Sequence, residues 1–256
     1  MSPLFKAPAP APTYRVPKPS PLPKLPGSEV GAAYAPARMG GDFYEFVPTG
    51  PSRVVFTLFD IAGKRDQALD IAAAAQDFLR QKAPELFSPE NVNENERISQ
   101  FAIELNHQIM AAAGGVHCSP AFVGSYDEEI GILTYCNAGH TPGLLKDSTG
   151  VASLNATGLP LGLFTHSTYE AQVSVLQPGA ALLLVSRGLL ESKCKDEEFG
   201  LERLKEIIQT VELKTAQELC NRVLRAAQQF AGAALEQNDV TAISLLRDAA
   251  VTGAAA

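Results

Sequence analysis

Four stretches of the 256-residue chain place charged or polar side chains where an apolar run begins or ends. In "RMGGDFYEF", Asp42 follows Gly40-Gly41, a pair that lets the backbone turn sharply, and opens an alternating run. In "VVFTLFDIAGK", Asp60 closes an apolar run just before Gly63. In "ALLLVSRGLLES", Arg187 stands where five apolar residues give way to a turn at Gly188. In "EQNDVTAISLL", Asn238 and Asp239 precede the last apolar run. A carboxylate at the end of a buried strand is costly to desolvate without a cation or several hydrogen-bond donors beside it. Asp42 and Asp60 together have the chemistry of a hard-cation site, because Mg and Mn prefer carboxylates, backbone carbonyls and water. The same acids also suit turn capping or pairing with arginine, and a guanidinium fork suits carboxylate and phosphate alike. Spacing alone leaves these alternatives open.

Such residues need elements to hold them. Runs of apolar, β-branched and aromatic residues predict strands over Asp42–Val47, Arg53–Asp60, Ala121–Tyr126, Ile130–Cys136, Tyr169–Leu176, Ala181–Ser186 and Val240–Leu246. Helical periodicity predicts Arg65–Gln81 and Glu94–Ala113, then Leu201–Val211 and Ala216–Phe230. Gly114-Gly115 stops the second helix, and Thr215 with Glu218 forms a capping box for the last. Strands grouped in twos with helix pairs between them do not alternate strictly with helices. The expected class is therefore α+β and layered rather than doubly wound.

Composition narrows the partners. With 21 basic and 28 acidic residues, a net charge of -7 and a pI near 5.2, the chain is a poor match for a phosphate backbone or an anionic membrane surface. No stretch reaches the roughly 18 consecutive apolar residues of a membrane span. The beginning of the chain lacks the apolar core of a signal peptide. Cys118, Cys136, Cys194 and Cys220 form no CxxC motif and read as free thiols, so a cytoplasmic protein is expected. The first 26 residues hold nine prolines, four basic residues and no acidic one, the pattern of an extended, solvated segment. The expected organisation is a disordered Pro-rich tail over 1–27, one domain over 28–248 and a flexible C-terminal tail over 249–256.

Seven motifs then occur in one order: "ARMGGDFYEF", "FDIAGK", "CNAGHTPGLL", "GLPLGLF", "LQPGAALLLVSRGLLE", "FGLERLKEII" and "NDVTAISLL". Together they resemble the metal-dependent protein serine/threonine phosphatases of the PPM type, in the bacterial branch typified by stage II sporulation protein E. The resemblance covers roughly Val30 to Arg247. It implies an α/β/β/α sandwich of two antiparallel sheets flanked by helix pairs. It also implies hydrolysis of phosphoserine or phosphothreonine on a regulatory protein, by water activated between two Mn or Mg ions. On that reading Asp60 bridges the ions as a catalytic residue, the Ile61 carbonyl is a further ligand, and Asp42 is the catalytic and metal-binding aspartate of the "GGD" motif.

Two acidic ligand positions of the pattern are changed. The family's Thr-Asp-Gly reads Ser186-Arg187-Gly188, and anchoring on Thr241 puts Asn238 where the pattern has its C-terminal aspartate. Arg65 stands where the branch usually follows Gly-Lys with a small residue. Losing two carboxylates and gaining a guanidinium shifts the local charge by about three units toward positive, and unit charges a few ångströms apart interact by kcal/mol even at an effective dielectric near 20. Arg187 is expected to repel a dication, to pair with Asp42 or Asp60, or to contact a phosphate. One Mn or Mg ion is expected to remain near Asp60 and Ile61, or none. Asp239 is a substitute metal ligand if it swings in, although a one-residue offset on a strand turns a side chain to the other face. His140 is expected to be structural, and His107, His117 and His166 carry no assignment. The implied function is an attenuated serine/threonine phosphatase. Its alternative is a catalytically dead pseudophosphatase that binds a phosphorylated regulatory protein.

Overall fold

The structure, a computed structural model, describes residues 15–35, 41–88, 93–212, 214–232, 235 and 239–249. Asn238, Gly40, residues 1–14 and most of the expected C-terminal tail lie outside the described residues.

Among the described residues, twelve strands and five helices follow one another. They are β1 (Ser28–Ala35), β2 (Asp42–Pro48), β3 (Arg53–Asp60), α1 (Arg65–Phe87), α2 (Glu94–Ala113), β4 (Ala121–Asp127), β5 (Ile132–Ala138), β6 (Gly143–Lys146) and β7 (Val151–Leu154). Then come β8 (Gln172–Val175), β9 (Ala181–Val185), α3 (Arg187–Leu190), β10 (Lys193–Cys194), β11 (Glu197–Glu198), α4 (Leu201–Thr210), α5 (Ala216–Ala231) and β12 (Val240–Arg247). One five-stranded sheet has the order β1-β12-β9-β6-β7 and the other β2-β3-β4-β5-β8, while β10 and β11 form a separate hairpin. Every pairing within the two large sheets is antiparallel.

Alternation along the strands explains why the sheets stack. Val54, Phe56 and Leu58 of β3 join Leu182 and Leu184 of β9 and Ile243 and Leu245 of β12 in the layer between the sheets. Their neighbours Val55 and Phe59 face α1 and α2. Leu183 and Val185 face α4 and α5. Each central strand is thus apolar on both faces, as a sheet covered on both sides requires. The α/β/β/α sandwich of two antiparallel sheets flanked by helix pairs is the observed fold.

Local signals end the helices where expected. Gly114 takes a left-handed conformation at φ 69° as the cap of α2. The Thr215 hydroxyl accepts from the Glu218 N–H at 3.0 Å to start α5. The first helix outruns its predicted end at Gln81 and passes Pro84, because Leu86 and Phe87 are buried in the layer beneath it.

Five strands were not predicted: β1, β6, β7 and the two-residue β10 and β11. β1 consists largely of small residues with weak strand preference, and its pairing with β12 is fixed by packing. A Cβ on Gly31 would lie 2.5 Å from the Gln217 nitrogen of α5. The Gln217 side chain donates to the Ala32 carbonyl at 2.8 Å and accepts from the Ala32 N–H at 3.3 Å. β6 and β7 are only four residues each, too short to show a period.

Residues 15–20 are largely exposed, as an extended, solvated segment would be, but they also make specific hydrogen bonds to the domain. The Arg15 N–H donates to Asp70 at 2.6 Å, and the Lys18 N–H donates to Gln76 at 2.8 Å. Ser20 donates to Glu45 at 3.1 Å and accepts from the Phe46 N–H at the same distance. The physical reason is Glu45, a carboxylate only 1% exposed, which also takes donors from Gln76 and Arg80. A carboxylate buried that deeply needs every donor within reach, and the proline-rich segment supplies one.

Candidate functional site

The two sheets leave a cleft of about 220 Å³ at one end of their shared layer. Asp42 and Asp60 enter it from directly opposed positions on β2 and β3. Like charges opposed across an antiparallel pair repel, so this register needs a cation or a proton. The β3 alternation that points Phe56 and Leu58 between the sheets carries Asp60 to the same side. Ile61 follows in extended contact with the neighbouring turn, its N–H donating to the Gly41 carbonyl at 2.9 Å. A Cβ on Gly41 would lie 2.5 Å from the Ile61 carbonyl oxygen; glycine here lets the two backbones meet.

The opposite wall comes from the other sheet. The apolar strand β9 ends at Val185, and Ser186 ties it to β12: its N–H donates to the Thr241 carbonyl at 2.9 Å and its Oγ accepts from the Thr241 N–H at 3.0 Å. The Thr241 hydroxyl then crosses between the sheets and donates to Asp42 at 2.7 Å. Arg187 opens α3 at the cleft edge. Its Nε lies 3.2 Å from the Asp60 carboxylate and 3.8 Å from that of Glu191, and its backbone N–H also bonds Asp60. The guanidinium is half exposed, at 52%, against 13% for Asp60.

Electrostatics follow from this arrangement. Burial pushes the Asp42 carboxyl up to about 8, aided by the neighbouring Asp60 and Asp239 and opposed by the hydroxyls of Ser186 and Thr241. It is therefore largely protonated at neutral pH. Burial also raises Asp60, with Arg187 pulling it back. The opposed pair is relieved by a proton on one carboxyl and a guanidinium on the other.

Asp239 lies inside the cleft, contrary to the face argument from sequence. It shares the alternation of Thr241, Ile243 and Leu245, which face the space between the sheets. Its Oδ2 accepts from the Gly41 N–H at 2.6 Å. Tyr34 of β1, which sequence reasoning missed, hydrogen-bonds Asp239, and burial with that carboxylate beside it pushes the phenol up to about 12. The only signal for it was an aromatic in a stretch of small residues. His140 is 4% exposed, its backbone N–H donating to Asn137 at 2.8 Å and its ring meeting Thr141. Burial drives its pKa down to about 4, so it is a neutral residue of the turn between β5 and β6. The Gly63 turn packs against His117, whose ring would meet a Cβ there at 3.3 Å.

Asp42, Asp60, Ile61, Asp239 and Arg187 thus meet in one cleft, while Asn238 is outside the described residues. These residues do not fit a pair of divalent ions. The Asp60 carboxylate is engaged twice by Arg187, Asp239 is held by a backbone N–H, and Asp42 by hydroxyls. Among the described residues no group of three or more His, Cys, Asp or Glu side chains has the arrangement of a metal site.

Two stacked antiparallel sheets between helical layers are a fold like that of a PP2C phosphatase domain. The chain belongs to the stage II sporulation protein E (SpoIIE) family, whose model matches residues 50–248. It is 28% identical over 211 residues to the phosphoserine phosphatase RsbU of Bacillus subtilis, covering 79% of this chain and 58% of RsbU. It is 25% identical over 248 residues to protein IcfG of Synechocystis, covering 89% of this chain and 39% of IcfG. The chain therefore spans less than two thirds of the length of either relative. Among solved structures it superposes on the RsbU and RsbW domains of Rv1364c from Mycobacterium tuberculosis with a TM-score of 0.71 at 23% identity, covering 90% of this chain and 63% of that one. The phosphatase domain with a regulatory fragment of SpoIIE from Bacillus subtilis gives 0.71 at 18% identity, covering 88% and 64%. At these identities the structures speak to the fold. No helix among the described residues is long and apolar enough to cross a membrane.

Proposed function

We propose that this chain is a non-hydrolysing member of its family that recognises a phosphorylated serine or threonine on a regulatory protein. The observation that carries this reading is the Arg187–Asp60 ion pair at 3.2 Å. A guanidinium there occupies the charge balance that a dication would supply, and it repels a dication that approaches the same carboxylate. Both ion pairs of Arg187 run through Nε. The guanidinium is half exposed, and its planar fork of donors matches a phosphate. A phosphate monoester brings the negative charge that the missing carboxylates no longer do. The relation to RsbU, a phosphoserine phosphatase, supports a phosphorylated protein partner.

A second reading, an attenuated phosphatase using one Mn or Mg ion, is favoured by the three carboxylates of Asp42, Asp60 and Asp239 lining a single cleft. Binding and turnover of one phosphoserine peptide separate the two. The proposed function predicts binding that requires the phosphate, no release of inorganic phosphate in Mn or Mg, and affinity lowered about 10-fold or more by Arg187→Ala, in line with loss of a charge-assisted contact. Phosphate release abolished by Asp60→Asn supports the second reading instead.

A further inference from the structure

On the helical layer of α4 and α5, away from the inter-sheet cleft, lies an open groove of about 570 Å³. The apolar faces of these helices are buried against their sheet through Leu204, Ile208, Leu219 and Val223. Three arginines, Arg203, Arg222 and Arg225, line the groove that remains. Arg222 and Arg225, one turn apart on α5, are exposed and have no acidic partner among the described residues. Arg203 of α4 completes the set and is held rigidly. It donates to the carbonyls of Glu198 and Phe199 at 3.0 and 2.9 Å and pairs with Glu197 at 2.6 Å. Its guanidinium lies 4.2 Å from the centre of the Phe230 ring, a cation–π stack. Phe230 meets Phe199 edge-on at 5.6 Å, and Ile207 adds an apolar wall.

Arginine and aromatic side chains around an apolar floor are the residues that carry most binding energy at protein surfaces. Three guanidinium groups on one groove run against the net charge of -7 of the whole chain. We infer that this groove binds a short acidic segment of a partner protein, with carboxylates on Arg222 and Arg225 and an apolar side chain against Phe230 and Ile207. Charge also limits the length of the occupant. The adjoining cleft is lined by Glu197, Glu198, Glu202 and Glu206, so a long uniform polyanion such as nucleic acid would run onto repelling carboxylates. A short segment whose acidic residues end at Arg203 fits both surfaces.

The test uses the whole chain and a fluorescein-labelled peptide, Glu-Glu-Asp-Leu-Phe-Asp-Glu-Glu, followed by anisotropy. Saturable binding is expected at low salt, weakened about 10-fold or more at about 0.5 M salt, where charge interactions are screened. The double variant Arg222→Glu with Arg225→Glu is expected to lose about 10-fold or more, with its circular dichroism unchanged because neither side chain is buried. The same charge change at Lys82 and Arg97, on the other helical layer, is expected to leave binding within about 2-fold. Absence of saturable binding at about 1 mM peptide, or equal loss in both double variants, overturns the proposal. It is also overturned if sedimentation shows self-association that the Arg222/Arg225 variant abolishes, since the groove would then hold a second copy of the chain.

Discussion

Arg187→Asp combined with Asn238→Asp is expected to create Mn binding about 100-fold or more tighter than in the native chain, and with it hydrolysis of a phosphoserine peptide. The double change moves the local charge by about three units toward negative, and at an effective dielectric near 20 two unit charges 4 Å apart interact by about 4 kcal/mol. Half exposure of the guanidinium screens much of that; a hundredfold is what about 2.7 kcal/mol of surviving interaction produces. The geometry agrees with the charge. Removing the guanidinium frees the Asp60 carboxylate directly opposite Asp42. Glycine at position 41 keeps the Ile61 carbonyl close to the same turn. Metal binding should also draw the proton from Asp42, whose carboxyl burial now holds near 8, so Mn affinity of the revertant should rise with pH through that range. Calorimetric titration with Mn, alongside phosphate release, reads both effects. A double revertant that binds Mn no better than the native chain shows that Arg187 and Asn238 are not the changed ligand positions.

Phe56→Ala is expected to destabilise the fold by about 3–5 kcal/mol, the range for truncating a large buried aromatic. Phe56 is 2% exposed and sits midway along β3. It lies between Phe46 and Phe122, with ring centres 5.9 and 6.3 Å away. Its ring also fills the space over Gly124, where a Cβ would lie 2.6 Å from it. Truncation leaves a void that the flanking strands cannot close, because the ladders of β3 with β2 and β4 hold them in place. Asp60 is carried on the same face of the same strand, so the void should loosen the cleft as well. Urea denaturation measures the loss, and a value below about 1.5 kcal/mol would mean the inter-sheet layer repacks.

Much of this architecture was legible in the chain because each sheet is covered on both faces. Apolar runs such as Val54–Phe59 and Leu182–Val185 mark the central strands, and the carboxylate or guanidinium that ends each run marks the cleft. Asp42, Asp60 and Arg187 were found in that way, and pairing of Arg187 with one of the two acids followed from charge. Asp239 was harder. Sequence offset placed it against Asn238 rather than against the alternation of β12, which it shares with Thr241. Tyr34 and its strand were invisible because β1 is selected by close packing on α5 through Gly31, a tertiary constraint without a local period. The anchoring of residues 15–20 was hidden for a similar reason: it depends on the buried Glu45, distant in sequence.

The most direct test of the central claim is a titration of the native chain with Mn, followed by the paramagnetic resonance of the free ion. The native chain is expected to show no saturable uptake below about 1 mM and no phosphate release from a phosphoserine peptide that it nonetheless binds. Uptake of two ions per chain at micromolar Mn, with turnover abolished by Asp60→Asn, would contradict it.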